Sequence, residues 1–596
     1  MVLDPPTESS RRGTHLYESL AILFRMVDEG NDPKNPKGAD FDGDAAVEGL
    51  TFRELSADLF HEDKTNLIDR VRLSNGALHR VLENLLLSPE KRGRDRGFIS
   101  YATLGVTELG QVYEGLMSYT GFVAAEDLFE VAPKGDSSKG SWVVPAARTV
   151  DLPGDSFVMD EVEDAGGGTK KVQRLHKKGS FVFRQSSRDR ERSASFYTPQ
   201  VLTEFTVGQA IEELRESGRI TSAEDVLGLR ICEPAMGSGA FAVEAVRQLA
   251  ELYLDLRQEE LGEQVAGEEY TRELQKVKAY LALHRVYGVD LNETAVELAE
   301  ISLWLDTMTP ELKAPWFGLH LRRGNSLIGA SRATYAQSQL EDRSWLKAVP
   351  RRESIAELAD DHWVAPALPK KSTPKSVKSE FRIHHFLVPG EGWGSAADAK
   401  DAKQIAGEYQ KELKAWRRAM SRKFTETELT QLRELSVRVD ELWRRALIRM
   451  NISEDQIRRH VGVWGFDEPP INRLVTRREI EQDLFGNPDG AYNRLRMALD
   501  AWSALWFWPL SEQARTVDGE VIEPPSREEW LAGLKDLLGE PLETEKGLQK
   551  NSHQSSFADL DTWDGLNAAD QQDALSARAL PVADCLEAHP WLAVTK

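Results

Sequence analysis

The sequence predicts a partial α/β core of Rossmann-like type between a helical N-terminal and a helical C-terminal region. Three observations predict it. A short apolar run over 226–232 leads into the turn Glu233-Pro-Ala-Met-Gly-Ser-Gly-Ala-Phe241 and then a helix over 242–253. A second strand over 284–289 ends at Asp290, and a helix follows from Thr294 to about Thr307. Both flanks carry apolar residues at three-and-four spacing, the period of an amphipathic helix.

Bulk properties bound the rest. A chain of 596 residues exceeds a single core, so about two to four domains are expected. Hydrophobic content of 41% and charge of 29% describe an ordinary globular composition. The sequence has no apolar run long enough for a membrane span and no basic-then-apolar leader at Met1. Its two cysteines, Cys232 and Cys585, lie far apart, so a disulfide framework is excluded and a cytoplasmic location is expected. The net charge of −22 opposes nonspecific nucleic-acid binding by the whole surface and leaves room for a local basic groove.

Along the chain, residues 1–135 read as a helical region, with helical stretches over 15–26, 67–87 and 104–121. Residues 136–190 read as a β-hairpin and basic segment around Gly166-Gly-Gly168. Within it, 170–192 holds nine Lys/Arg against Asp189 and Glu191, either a solvated face or phosphate contacts. Residues 191–340 form the core, with a charged helix over 256–280 and a third strand near 318–321 before Gly324-Asn-Ser-Leu327. Residues 341–400 read as a linker, rich in Pro, Lys and Ser over 366–379. Residues 401–455 predict a helical hairpin: Thr425 and Glu428 have capping-box spacing, and Leu429, Leu432, Leu435, Val439, Leu442 and Ala446 form a seam. The stretch 411–423 carries six basic residues against Glu412, again a solvated face or a phosphate contact. Residues 456–596 read as a helical C-terminal region, with Trp-rich Ala504-Leu-Trp-Phe-Trp-Pro509 expected in the core.

Four pieces stand in a fixed order: Ser195-Phe-Tyr-Thr-Pro199, 233–241, Tyr287-Gly-Val-Asp-Leu-Asn292 and Gly324-Asn-Ser-Leu327. Gly-x-Gly alone is a weak signal, and Gly237-Ser-Gly239-Ala-Phe-Ala242 matches the dinucleotide fingerprint. That fingerprint wants an acid about 20 residues on, whereas Asp290 comes much later. No lysine follows the glycines, which excludes a phosphate-binding P-loop. A carboxylate at the strand end, Glu233, suits a cationic ligand.

Together the pieces resemble the N6-adenine DNA methyltransferases whose cofactor-binding half precedes the catalytic motif. The likeness is strongest over 190–330. It extends weakly to the large methylases of restriction–modification and phage-defence systems, the BREX and DISARM types. The resemblance implies a Rossmann-like methyltransferase core that binds S-adenosyl-L-methionine and acts on double-stranded DNA, with other phage-defence subunits as partners. It implies that Tyr197, Thr198 and Pro199 close over the methionine end of the cofactor. Glu233, Pro234, Ala235, Gly237 and Gly239 would form the methionine and ribose loop. Asp290 would accept from the ribose hydroxyls, Leu291 would lie beside it, and Asn325 would bond the adenine edge.

The family's acceptor motif, an Asn/Asp/Ser-Pro-Pro-aromatic loop that holds a flipped adenine, is not found. Asp4-Pro-Pro-Thr7, Glu468-Pro-Pro-Ile471, Glu523-Pro-Pro-Ser526 and Gly486-Asn-Pro-Asp489 each lack a required residue or a preceding strand. Three readings follow. The catalytic loop lies beyond Lys596 or on a second chain, which the abrupt His589-Pro-Trp end suits. Alternatively, the chain is an inactive scaffold of a defence complex. In the third, the acceptor is protein or RNA.

Overall fold

The computed structural model describes residues 6–32, 51–52, 62–88, 96–101, 119–137, 141–163, 169–185, 198–309, 317, 319–360, 362–370, 372–457, 461–466, 480–509, 521–542 and 573–595. The chain divides into two units, 1–326 with 460–469, and 327–459 with 470–596.

The first unit opens with helices α1 (His15–Glu29), α2 (Glu62–Val71) and α3 (Asn75–Leu86). Ser74 caps α3 by accepting from the Ala77 N–H. Asn75 ties the helices together: its side chain accepts from Leu16 N–H at 3.0 Å and donates to the Ser10 carbonyl at 2.7 Å. Among the described residues the helical reading of 1–135 fails at 119–131. Residues 119–123 and 128–131 are strands, because Thr, Phe and Val suit a pleated face. The expected helix over 104–121 falls mostly outside the described residues.

Seven short strands follow: β1 (Tyr119–Val123), β2 (Leu128–Val131), β3 (Trp142–Pro145), β4 (Met159–Glu163), β5 (Thr169–Gln173), β6 (Leu175–His176) and β7 (Phe181–Gln185). They pair as β1–β7, β3–β2–β6 and the hairpin β4–β5. The glycines 166–168, between β4 and β5, lie outside the described residues. The basic strand β5 lies opposite the acidic strand β4, with Lys171 facing Glu161. Arg174 reaches Asp160 at 2.7 Å and Glu130 at 3.3 Å. Much of the hairpin's positive charge is therefore answered by its own carboxylates.

The core begins with α4 (Gln200–Glu216) and α5 (Ala223–Gly228). The first strand is shorter than the apolar run suggests. Ser222 and Asp225 form a capping box that winds 223–228 into a helix, leaving β8 as Ile231–Glu233. Then come α6 (Ala240–Leu261), α7 (Gly267–Arg285), β9 (Val286–Asp290), α8 (Glu293–Thr307) and β10 (Leu321–Arg323). The strands are parallel in the order β10–β9–β8. Asp306, near the end of α8, holds Arg247 of α6 at 2.6 Å and Lys278 of α7 at 3.0 Å, pinning three helices. Val246, Leu249, Leu281 and Leu303 are buried among them. The segment 461–466 joins this core, its Trp464 carbonyl accepting from the Tyr253 hydroxyl at 2.9 Å.

The second unit has a small sheet in the order β12–β11–β13, with β11 (Ala333–Ala336), β12 (Arg351–Arg352) and β13 (Arg382–His384). Its longest helices among the described residues are α9 (Ala402–Met420), α10 (Glu426–Ile457), α11 (Ala491–Ala504) and α12 (Arg527–Leu538). The linker reading of 341–400 is overturned. Trp345, Phe386, Leu387 and Trp393 are fully buried, and Trp345, Trp393 and Trp530 donate their indole N–H to backbone carbonyls. The Pro/Lys/Ser composition of 366–379 covers only the part between these anchors. Thr425 and Glu428 do form the reciprocal cap of α10. The apolar seam of α10 packs mainly against α11, α12 and β13, so this helix is the spine of the unit and not half of a free-standing hairpin. Trp508 is buried and Phe507 points outward. In the basic stretch, Arg417 and Lys414 pair with Asp398, and Arg422 with Glu428 and Glu528. Half of its cations are thus occupied.

Candidate cofactor site

Parallel strands bind ligands outside their carboxyl ends, and the three ends here bring the candidate residues together. Residue pairs Glu233–Gly288 and Arg323–Asp290 are in register, and the Gly324 N–H donates to the Asp290 carbonyl at 2.9 Å. The expected residues Glu233, Asp290, Leu291 and Asn325 therefore follow or end adjacent strands.

The loop between β8 and α6 is held by backbone bonds and two carboxylates. Met236 donates its N–H to the Val289 carbonyl at 3.0 Å, and Gly239 donates to Met236 at 2.9 Å. Asp290 accepts from the Gly237 N–H through one oxygen and from the Asn292 N–H through the other, each at 2.8 Å. A carboxylate has about four acceptor sites, so it can still receive a ligand hydroxyl. Gly237 and Gly239 have φ of +56° and +77°, where a side chain is strained. The space in front of Gly237 is open, whereas Gly239 lies against Ala299 of α8. Pro234, Ala235, Leu291 and Asn325 are exposed.

Glu233 is half-buried, and one oxygen accepts from the Ala242 N–H in the first turn of α6 at 3.1 Å. Burial is the main cause that pushes its carboxyl up to about 8, with the Asp290 charge adding to it and the Ala242 bond opposing it. A carboxyl so displaced lacks a positive partner. The open face of Gly237 and this charge deficit fit a ligand with a cationic end.

Thr198 and Pro199 sit at the entry to α4, where the Leu202 N–H donates to the Pro199 carbonyl at 2.9 Å. Tyr197 lies outside the described residues. Among the described residues no hydrogen bond joins Thr198 to the loop. Three residues that build the site escaped sequence reasoning: Met236, Gly288 and Asn292. Asn292 caps α8 by accepting from the Thr294 N–H, and Asn before Glu-Thr was a readable sign of it. Met236 is buried with its sulfur over Gly288, where any Cβ would collide with it. No sequence signal couples those two positions. No cluster of metal-ligating side chains occurs among the described residues.

Three parallel strands with a glycine turn after the first make this a Rossmann-like strand-end corner. Residues 215–319 match the family model described as MmeI, DNA-methyltransferase domain. A putative type II restriction enzyme and methyltransferase of Methanocaldococcus jannaschii is 30% identical over 139 residues, covering 20% of this chain and 11% of the relative. The chain thus spans a small part of that relative's length. No solved structure matches. Residues 215–319 are thus similar to a DNA-methyltransferase domain. No helix among the described residues is long and apolar enough to cross a membrane.

The two thiols should differ sharply. Cys232 on β8 is exposed, whereas Cys585 is buried and its thiol is pushed up to about 11, chiefly by burial. A disulfide reagent at pH 8 is expected to modify one thiol per native chain and the second only after denaturation. Rapid modification of both would contradict the packing around Cys585.

Proposed function

We propose that this chain is the cofactor-binding part of an S-adenosylmethionine-dependent DNA methyltransferase. Its acceptor is adenine N6 in double-stranded DNA, within a cytoplasmic restriction–modification or phage-defence system. The observation that carries the reading is the convergence of Glu233, the Gly237–Gly239 turn, Asp290 and Asn325 at three parallel strand ends. Glu233 receives the amino group of the cofactor, Asp290 the ribose hydroxyls, and Leu291 and Asn325 the adenine face and edge. Tyr197, Thr198 and Pro199 close over the methionine end.

The partner reading draws on the sheet. Its order is third–second–first, and in doubly wound folds the fourth strand adds beside the first. Among the described residues no strand covers the outer edge of β8. That edge suits a strand from a second chain or a further segment that brings the acceptor loop. Other phage-defence subunits complete the proposed assembly.

Calorimetry with S-adenosylmethionine tests the cofactor assignment. Asp290→Ala removes the acceptor of two loop N–H groups and is expected to weaken binding at least tenfold, since each charge-assisted bond contributes about 1.5–3 kcal/mol. Equal heats for the two proteins would sink the assignment. Tritium transfer to duplex DNA tests the partner: the chain alone is expected to be inactive and to gain activity with its complement. Cys232 should be protected from labelling in that complex. Activity of the chain alone would refute the divided site. A bound complement without activity would favour a scaffold.

A further inference from the structure

We propose that Arg343, Lys347 and Lys423 form a phosphate-binding cluster that holds the backbone of double-stranded DNA on the second unit. The inference rests on the proposed action on DNA and adds a contact surface to it.

Tertiary packing makes the cluster. Trp345 is buried, donates its indole N–H to the Pro389 carbonyl at 3.2 Å and meets the Phe424 ring at 5.1 Å between centroids. This contact brings the segment with Arg343 and Lys347, which flank Trp345, to Lys423, which precedes Phe424. The backbone beneath is locked. Buried Arg527 lies over the Phe424 ring at 4.2 Å and donates to the Arg422 and Lys423 carbonyls at 2.6 and 3.1 Å. The Lys347 N–H closes a turn on the Ser344 carbonyl at 3.1 Å. Arg343 carries the clearest sign. It ends the short helix Gln337–Asp342 in the left-handed conformation, at φ +71°. Glycine is the residue without strain there. An exposed arginine at that place gains for the fold only the small attraction of a helix end.

All three side chains are exposed, and none is within ion-pair distance of a carboxylate among the described residues. The neighbouring acids are engaged elsewhere. Asp342 accepts from the Ser344 N–H at 2.8 Å; hydrogen bonds from Ser344 chiefly, and the Lys423 charge least, hold its carboxyl below the usual range. Glu341 accepts from Gln337 at 2.7 Å and faces Lys375 at 3.8 Å, and Glu426 faces Arg433 at 2.8 Å. Arg422, beside the cluster, is by contrast shared by Glu428 and Glu528. Lys411 and Arg418, on one face of α9, are also exposed, with Glu412 beside them. Three cations on a locked backbone, in a chain of net charge −22, make a local basic site for a polyanion. Trp345 and Phe424 are buried, so the cluster offers charge without a stacking face. That suits a duplex backbone and not unpaired bases.

Fluorescence anisotropy on the full chain provides the test, with a labelled DNA duplex, the same length of duplex RNA and single-stranded dT as ligands. Arg343→Gly/Lys347→Ala/Lys423→Ala is expected to weaken DNA duplex binding at least tenfold at about 0.1 M salt. It should also lower the slope of log affinity against log salt by about 2–3, roughly one step per phosphate contact. Arg343→Gly alone should lower the slope by about one while raising the urea midpoint, because glycine relieves the backbone. Weaker binding by a more stable chain separates this role from folding. Arg215→Ala/Arg219→Ala/Arg230→Ala removes three exposed cations of the first unit and should leave affinity within about twofold. Unchanged duplex binding by the cluster variant overturns the proposal. So does an equal loss in the first-unit variant, or tighter binding of duplex RNA or dT. S-adenosylmethionine heats should be the same for wild type and cluster variant. Cluster-dependent duplex binding by a chain that gives no cofactor heat would keep the cluster and remove the methyltransferase reading. Cofactor heat without any DNA binding would remove the cluster alone.

Discussion

Replacing Glu233 by Gln is expected to stabilise the cofactor corner at alkaline pH and to abolish a pH-dependent step in cofactor binding. In the folded chain the Glu233 carboxyl titrates near 8, mainly because of burial, against an ordinary value of 4.5. Between those values the unfolded chain releases the proton and the folded chain keeps it. Stability therefore falls as pH rises from about 4.5 to 8, and the full penalty is present above 8. A shift of this size corresponds to roughly 3–5 kcal/mol. Gln keeps an acceptor for the Ala242 N–H and carries no proton to lose. Hydrogen exchange of the β8 and β9 amides should show the variant equal to wild type near pH 5 and better protected near pH 9. A cationic ligand favours the ionised carboxyl, so binding should expel a proton, with affinity rising up to about tenfold per pH unit towards 8. Parallel pH profiles for wild type and Glu233→Gln would remove Glu233 from the cationic end of the site.

The second large effect lies in the other unit. Asp573→Ala is expected to cost about 3–5 kcal/mol, the penalty of stranding a buried cation. Arg438 projects from α10 with no exposed side-chain surface and meets Asp573 at 2.6 Å. It also reaches Glu441 at 3.1 Å and the Leu538 carbonyl at 2.9 Å. Arg445 reaches the same aspartate at 3.1 Å. Removing Asp573 takes a carboxylate from both guanidinium groups and leaves buried Arg438 with Glu441 and the Leu538 carbonyl. This unit holds eleven of the fifteen tryptophans, so denaturant unfolding followed by their fluorescence reads it selectively. An unchanged midpoint would mean that Glu441 alone satisfies Arg438. Cofactor binding should be little affected, because the site belongs to the first unit.

The two predictions rest on features of different legibility. The strand-end corner was readable as backbone geometry because its signals are local. A strand-end acid, two glycines and a second strand-end acid lie in short continuous stretches. The structure adds that Asp290 holds the loop itself. The β8 boundary was misread because an apolar run does not distinguish a strand from a short buried helix, and the Ser222–Asp225 cap decided it. The linker was misread because Lys, Pro and Ser between 366 and 379 mask anchors placed outside them. Phe386, Leu387 and Trp393 bury themselves through partners a hundred residues away, such as Trp502 and Trp530. The Arg438–Asp573 pair has no sequence signature at all, since nothing local marks which arginines of α10 face inward.

Gly288 and Met236 form a size-matched pair across two strand ends, and their fit limits which sequences can carry this corner. A long side chain at 236 requires none at 288, and a methyl at 288 demands a shorter neighbour. The positions should therefore be epistatic: Gly288→Ala and Met236→Ala each disturb the loop, and the double variant recovers part of the loss. The route by which such a corner changes its cofactor contacts then passes through paired substitutions, not single ones.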